Sequence, residues 1–222
     1  RSALKSTDTR VVLAALDGLH RQRDRLPVSE LLPLLPEVTL RPALMTALGH
    51  TQEAAAIHPL IEGLIEQARC AREAALVGLY RLYQSLQATG RQQIVEAIRK
   101  LDENTVRSMT RALMEATPPV REATAALLGW LGKLELVRPL VLVLGDSDSS
   151  VAESASQALL DLDAGDAALR ILADILPSVD PRSRGNVCRF FARHAELVQA
   201  RASAALRDRL GSAPPRDMLS AK

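Results

Sequence analysis

A short pattern returns along this chain at a fixed interval, and it restricts the fold more than any other feature. Val120-Arg121-x-Ala123 has counterparts in Thr9-Arg10-x-Val12, Leu40-Arg41-x-Ala43 and Ala71-Arg72-x-Ala74. The steps from 9 to 40 and from 40 to 71 are 31 residues, and Val151-Ala152-x-Ser154 follows Val120 by 31 again. The step from 71 to 120 is 49, one period plus 18 residues, and a weaker sixth copy begins near Ser183-Arg184. A unit this short cannot bury an apolar face alone. It must stack on its neighbours, so the chain is expected to grow as an array.

Each copy reads as two helices. The first carries apolar or small residues at positions 0, 3 and 7, as in Val120, Ala123 and Leu127, which is one face of a 3.6-residue helix. The second carries them at 0, 1 and 4: Leu60, Ile61, Leu64; Leu140, Val141, Leu144; Ile171, Leu172, Ile175. Turn chemistry separates the units at Leu35-Pro36, Gly145-Asp146-Ser147-Asp148 and Pro177–Pro181, where Asp and Ser are natural caps and Pro starts helices. Apolar residues are 47% of the chain and aromatics 2%, so the apolar mass is Leu, Ala, Val and Ile, which suits close-packed helices. The extra residues include "GRQQIVEAIRKL" (90–101), an amphipathic helix with Ile94, Ile98 and Leu101 on one face. "NTVRSMTRALMEA" is then that unit's second helix.

"DSDSSVAESASQALLDLD" and "TPPVREATAALLGWLGKL" resemble the HEAT-repeat family, in its short bacterial form with the pattern D-x-x-V-R-x-x-A-x-x-A-L-G-x-L. The resemblance implies an all-α, right-handed α-solenoid of about six helix pairs with one inserted helix in the third unit. Its units fall near 6–36, 37–67, 68–116, 117–147, 148–179 and 180–211, with a flexible tail at 212–222. First helices are expected on the convex side and second helices on the concave side. The family also implies that the first-turn Arg bonds to an acid or carbonyls of the preceding turn, where Asp8, Glu37 and Asp148 stand. Val151 is followed by Ala152, so that junction is expected to rest on apolar packing alone.

The formal charge of +2 hides a polarised end. Residues 135–180 carry nine acids against Arg138 and Arg170, while 181–210 carry seven arginines against Glu196 and Asp208. Self-association through these two segments is one expectation. Cys70 and Cys188 each sit in a helical apolar pattern and are read as buried free thiols, which points to a reducing, cytoplasmic setting. No run reaches the ~18 apolar residues of a membrane span. Opening on Arg rather than Met, the chain is expected to be a piece of a longer protein, whose remainder could attach it to a membrane.

Catalytic signals are weak. His20, His50, His58 and His194 have no metal-ligand spacing, and His20 and His50 read as solvated side chains at helix ends. "DSDSS" opens like a calcium loop, but Val151 replaces the required Gly and Gln157 the chelating Glu. No cofactor or metal is expected. Alkylpurine DNA glycosylases share a related repeat fold, yet base-stacking aromatics are scarce here and Trp130 reads as core. Nucleic-acid or anion binding through Arg182, Arg184, Arg189 and Arg193 is the alternative function, and a lyase activity like that of phycobilin lyases of this fold is a third.

One position on the second helices, occupied by Pro33, Glu62, Leu142 and Ala173, carries the leading reading. Leu142 makes "LVLVL" apolar all round, so that helix is either covered or offers a patch. The expected function is a non-enzymatic scaffold or regulatory domain. It would bind another protein, or its own parent chain, on a surface near Glu62, Arg107, Arg111, Arg138, Leu142 and Ala173.

Overall fold

The computed structural model describes residues 2–21, 25–162, 181, 184 and 185. Ala173, Arg182, Arg189, Arg193, Cys188, His194, the rest of the fifth unit, the sixth unit apart from 181, 184 and 185, and the tail lie outside the described residues, as does most of the polarised end. Among the described residues all regular structure is helical. The first helices of successive units are α1 (Thr9–Arg21), α3 (Arg41–Leu48), α5 (Arg69–Ser85), α8 (Pro118–Leu131) and α10 (Ser149–Asp161). The second helices are α2 (Val28–Leu31), α4 (Ile57–Gly63), α7 (Glu103–Glu115) and α9 (Val137–Val143). The inserted helix is α6 (Ala88–Arg99), two residues ahead of its predicted start.

Helix ends follow local chemistry. Asp102 caps α7 by accepting from Thr105 N at 2.7 Å, and Asp148 caps α10 by accepting from Ser150 N at 2.9 Å. Pro118 occupies the first position of α8, and Gly132 ends that helix at φ 70, a left-handed conformation that favours glycine. Pro33 lies in a 3-10 turn over Leu32–Leu34 that follows α2, so α2 is a single turn.

The predicted apolar stripes form one continuous core. Leu44, Leu48, Leu60, Leu79, Leu82, Leu127, Leu128 and Leu140 are fully buried, each contributing about 2 kcal/mol. Ile94 and Ile98 bring α6 into the same core. Two junctions between first helices close to backbone contact at one repeated register. A Cβ on Gly49 would lie 2.5 Å from Gly78 Cα, and one on Gly129 would lie 2.7 Å from Ala158 Cα. Both pairs are 29 residues apart, so position +8 after the first-turn Arg of one unit meets position +6 of the next.

The junction that carries the insertion departs from this rule. Its +8 position is Tyr80 rather than Gly, and α8 packs on α5, α6 and α7. Aromatic rings fill the wider space: Tyr83 stacks on Trp130 with centroids 4.0 Å apart, and Tyr80 lies 6.5 Å from the same indole. Trp130 is therefore half-buried against the core, not enclosed in it as the sequence suggested.

Two further expectations are overturned. Cys70 is exposed, because α5 begins at Arg69 and the thiol sits in the first turn on the outer side of buried Ala71. The junction before Ala152 is not apolar alone. Ser154 Oγ donates to Glu122 O at 2.9 Å, and Ser150 Oγ bonds Glu122 Oε2 at 3.1 Å.

Candidate functional site

The first-turn arginines hold the units together, and their ligands differ in part from those expected. Arg41 Nε donates to Leu35 O at 3.1 Å, Arg72 Nη1 to Glu66 O and Gln67 O at 2.6 Å each, and Arg121 Nη1 to Ala116 O at 2.6 Å. These are carbonyls of the preceding turn, as the family pattern implies. The acid is a different matter. Among the described residues, a preceding acid serves in the first unit alone, where Arg10 pairs with Asp8 at 3.1 Å on an exposed surface. Glu37 instead bonds Thr39. Arg41 reaches Glu66 at 2.6 Å and Arg121 reaches Asp146 at 2.7 and 2.8 Å, in both cases 25 residues downstream. Burial pushes the Asp146 carboxyl up, but hydrogen bonds from Arg121 and from Asp148 N outweigh it and hold the group below its usual range.

Helix α7 divides the surface of the second helices into two cavities. Towards α9 lies a groove of about 540 Å3 whose walls include Arg107, Met114, Arg138 and Leu142. Towards α4 and α5 lies a cavity of about 200 Å3 lined in part by Arg69, Arg72, Arg111 and Glu115. The alternation follows from helix geometry: residues 103, 106, 107, 110 and 114 share one flank of α7, and 108, 111, 112 and 115 share the other.

Of the residues predicted for the site, Arg107, Arg138 and Leu142 thus meet in one groove, and Arg111 stands on the opposite flank of α7. Glu62 joins neither. It is exposed on α4 and faces His58 one turn earlier, with Nε2–Oε1 at 3.4 Å. Leu142 is 41% exposed, while Val137, Leu140, Val141, Val143 and Leu144 of the same segment are buried, so α9 offers one apolar side chain outward. Met114, 51% exposed beside it, was not singled out from sequence. Its signal was available: it stands seven residues after Arg107, on the same helical face.

A cavity of about 700 Å3 lies where α1, α3 and α5 end, with Arg25, His50 and Arg81 on its wall. Arg81 Nη1 donates to His50 Nε2 at 3.1 Å, so His50 is tied to the neighbouring unit rather than solvated alone. Arginines there counter the negative ends of three helices. Among the described residues, no three His, Cys, Asp or Glu side chains converge as a metal site would require, and no helix is long and apolar enough to cross a membrane.

Solved structures match this arrangement of stacked pairs. An engineered protein superposes with a TM-score of 0.54 at 17% identity, covering 90% of this chain and 95% of its own. The fold is a helical-repeat solenoid. Armadillo repeat proteins computationally designed for modular peptide recognition give a TM-score of 0.51 at 16% identity, over 86% of this chain and 96% of theirs. A complex of phycocyanin lyase from Nostoc sp. PCC7120 gives 0.48 at 22% identity, over 82% of this solenoid and 71% of that chain. No family model matches the chain, and no curated relative does. At these identities the likeness is one of fold.

Proposed function

We propose that the solenoid is a protein-interaction scaffold that holds a helical or extended segment in the groove between α7 and α9. The segment belongs to another protein or to the rest of a parent chain. One observation carries this reading: Leu142 and Met114 stand exposed in a single groove with Arg107 and Arg138 on its walls. Apolar anchors inside a charged rim are the usual composition of a recognition surface. The similar designed armadillo proteins, made for modular peptide recognition, support the use of such a fold for gripping a peptide.

The test is affinity capture from native cell extract with wild type and Leu142→Glu, at low salt and at ~0.5 M salt, where the screening length falls to a few ångströms. Because Leu142 is exposed, the variant should keep its helicity and melting temperature. Loss of a salt-resistant partner in Leu142→Glu alone supports the groove. A partner that is retained by Leu142→Glu and released by salt sinks this reading and moves recognition to the charged end of the chain.

A further inference from the structure

The second and fourth units close on themselves in the same way. Arg41 and Arg121 each bind a carbonyl of the preceding turn and a carboxylate 25 residues on, Glu66 or Asp146. The third unit has the arginine but half of its ligands. Arg72 holds Glu66 O and Gln67 O, and among the described residues no carboxylate reaches it. The Glu66 side chain is already taken by Arg41.

The acid that keeps register with Glu66 and Asp146 is Glu115, since each stands six residues before the first-turn position of the next unit. In the third unit the 18 extra residues intervene between Arg72 and that position. Arg72 and Glu115 both line the 200 Å3 cavity beside α7 without forming an ion pair. We infer that this cavity is a carboxylate-binding site, in which an external carboxylate takes on Arg72 the place that Asp146 holds on Arg121.

Charge selects the ligand. Arg69 pairs with Glu73 at 2.6 Å and also feels the Glu115 charge, so three guanidiniums, Arg69, Arg72 and Arg111, face two carboxylates. One incoming negative charge balances the cavity, whereas a phosphate dianion overshoots. A guanidinium with carbonyls on one edge still offers a fork to a carboxylate on the other. Leu76 and Met109, both nearly buried, give the floor an apolar surface for the methylene stem of a glutamate-like acid.

The ligand is either a free organic acid or an acidic residue of a peptide segment, and the test separates them. The whole chain, labelled with 15N, is titrated while the arginine Nε signals are followed by NMR. Propionate represents the free acid, N-acetyl-glutamate N-methylamide the residue in a chain, and the corresponding glutamine compound is the neutral control. The acidic probes should shift the Arg72 signal saturably, the glutamine compound should not, and the tighter acid identifies the source. In Arg72→Gln the neighbouring Arg111 Nε signal should lose its saturable shift, and Arg111→Gln, which leaves the Arg72 carbonyl bonds intact, should weaken the Arg72 response about threefold or more. Arg107→Gln, on the other flank of α7, should leave it unchanged. Absence of saturation by either acid up to about 50 mM overturns the proposal, since that is weaker than a millimolar site. It is equally overturned if Glu115→Gln lowers the melting temperature as much as Asp146→Asn does, because Glu115 then closes the unit itself. Neither failure touches the groove at Leu142, which is tested by partner capture.

Discussion

Arg121 Nε and Nη2 meet the two carboxylate oxygens of Asp146, at 2.7 and 2.8 Å, with side chains only 17% and 10% exposed. The pair ties the first turn of α8 to the turn that enters α10, so it fastens both ends of one unit. Removing one partner leaves the other shielded and unpaired, which costs about 3 kcal/mol for a buried pair. Arg121→Gln should therefore lower the unfolding free energy by about that amount in denaturant melts. Arg10→Gln should leave the denaturant midpoint almost unchanged, because the Arg10–Asp8 pair is exposed on both sides.

Acid should weaken the fold through carboxylates of this kind. Asp102 is held below its usual value first by the hydrogen bond from Thr105 N, and Asp146 is held below its own by Arg121 and Asp148 N despite burial. A folded-state value lower than the unfolded one means the unfolded chain binds protons first as pH falls. The stabilisation is thus complete above the unfolded value of about 3.9 and is lost as pH drops through the depressed folded values. Melting temperature should be flat from about pH 7 to 5 and fall steeply below about 4. Asp146→Asn should start lower at neutral pH and show a shallower acid limb. An unchanged limb would mean the ion pair contributes nothing to the pH dependence.

Much of this solenoid was legible in the sequence because its period is carried by residues whose burial is obligatory. Leu60, Leu127 and Leu140 stand at the apolar positions that the repeat assigns to its two helices and sit in the core where the pattern put them. The inserted helix was legible for the same reason, through Ile94 and Ile98. The acid that each latch uses was not. Glu66 and Asp146 are different residues in turns rich in other polar groups, and Asp8 and Glu37 stood closer to Arg10 and Arg41 in sequence. Only the fold brings a residue 25 positions away to the guanidinium. Cys70 was misplaced because it adjoins Ala71 in sequence, whereas one residue along a helix is a turn of about 100°, which carries its side chain off the stripe of Ala71, Ala75 and Leu79. The α7–α9 groove was half legible: Leu142 broke the polar pattern of its helix, whereas Met114 looked like one more apolar residue on an amphipathic face.

The glycines offer a sharper test of the stacking than any core leucine, because two of them with the same chemistry should respond in opposite directions. Gly49 sits where α3 meets α5, and a methyl group there would lie 2.5 Å from Gly78 Cα and 2.8 Å from Gly78 O. Those atoms are backbone, so relief requires the two helices to separate. Overpacking of that kind costs about 1–3 kcal/mol. Gly18 lies inside α1 with nothing within 4 Å of where its Cβ would stand. There alanine adds no clash and restricts the unfolded chain, a gain of about 0.5–1 kcal/mol. Gly49→Ala should therefore lower the melting temperature and Gly18→Ala should raise it, both read by circular dichroism. If Gly49→Ala were neutral, the close approach of α3 and α5 would not be a feature of the folded protein, and the +8/+6 register shared with Gly129 and Ala158 would lose its structural meaning.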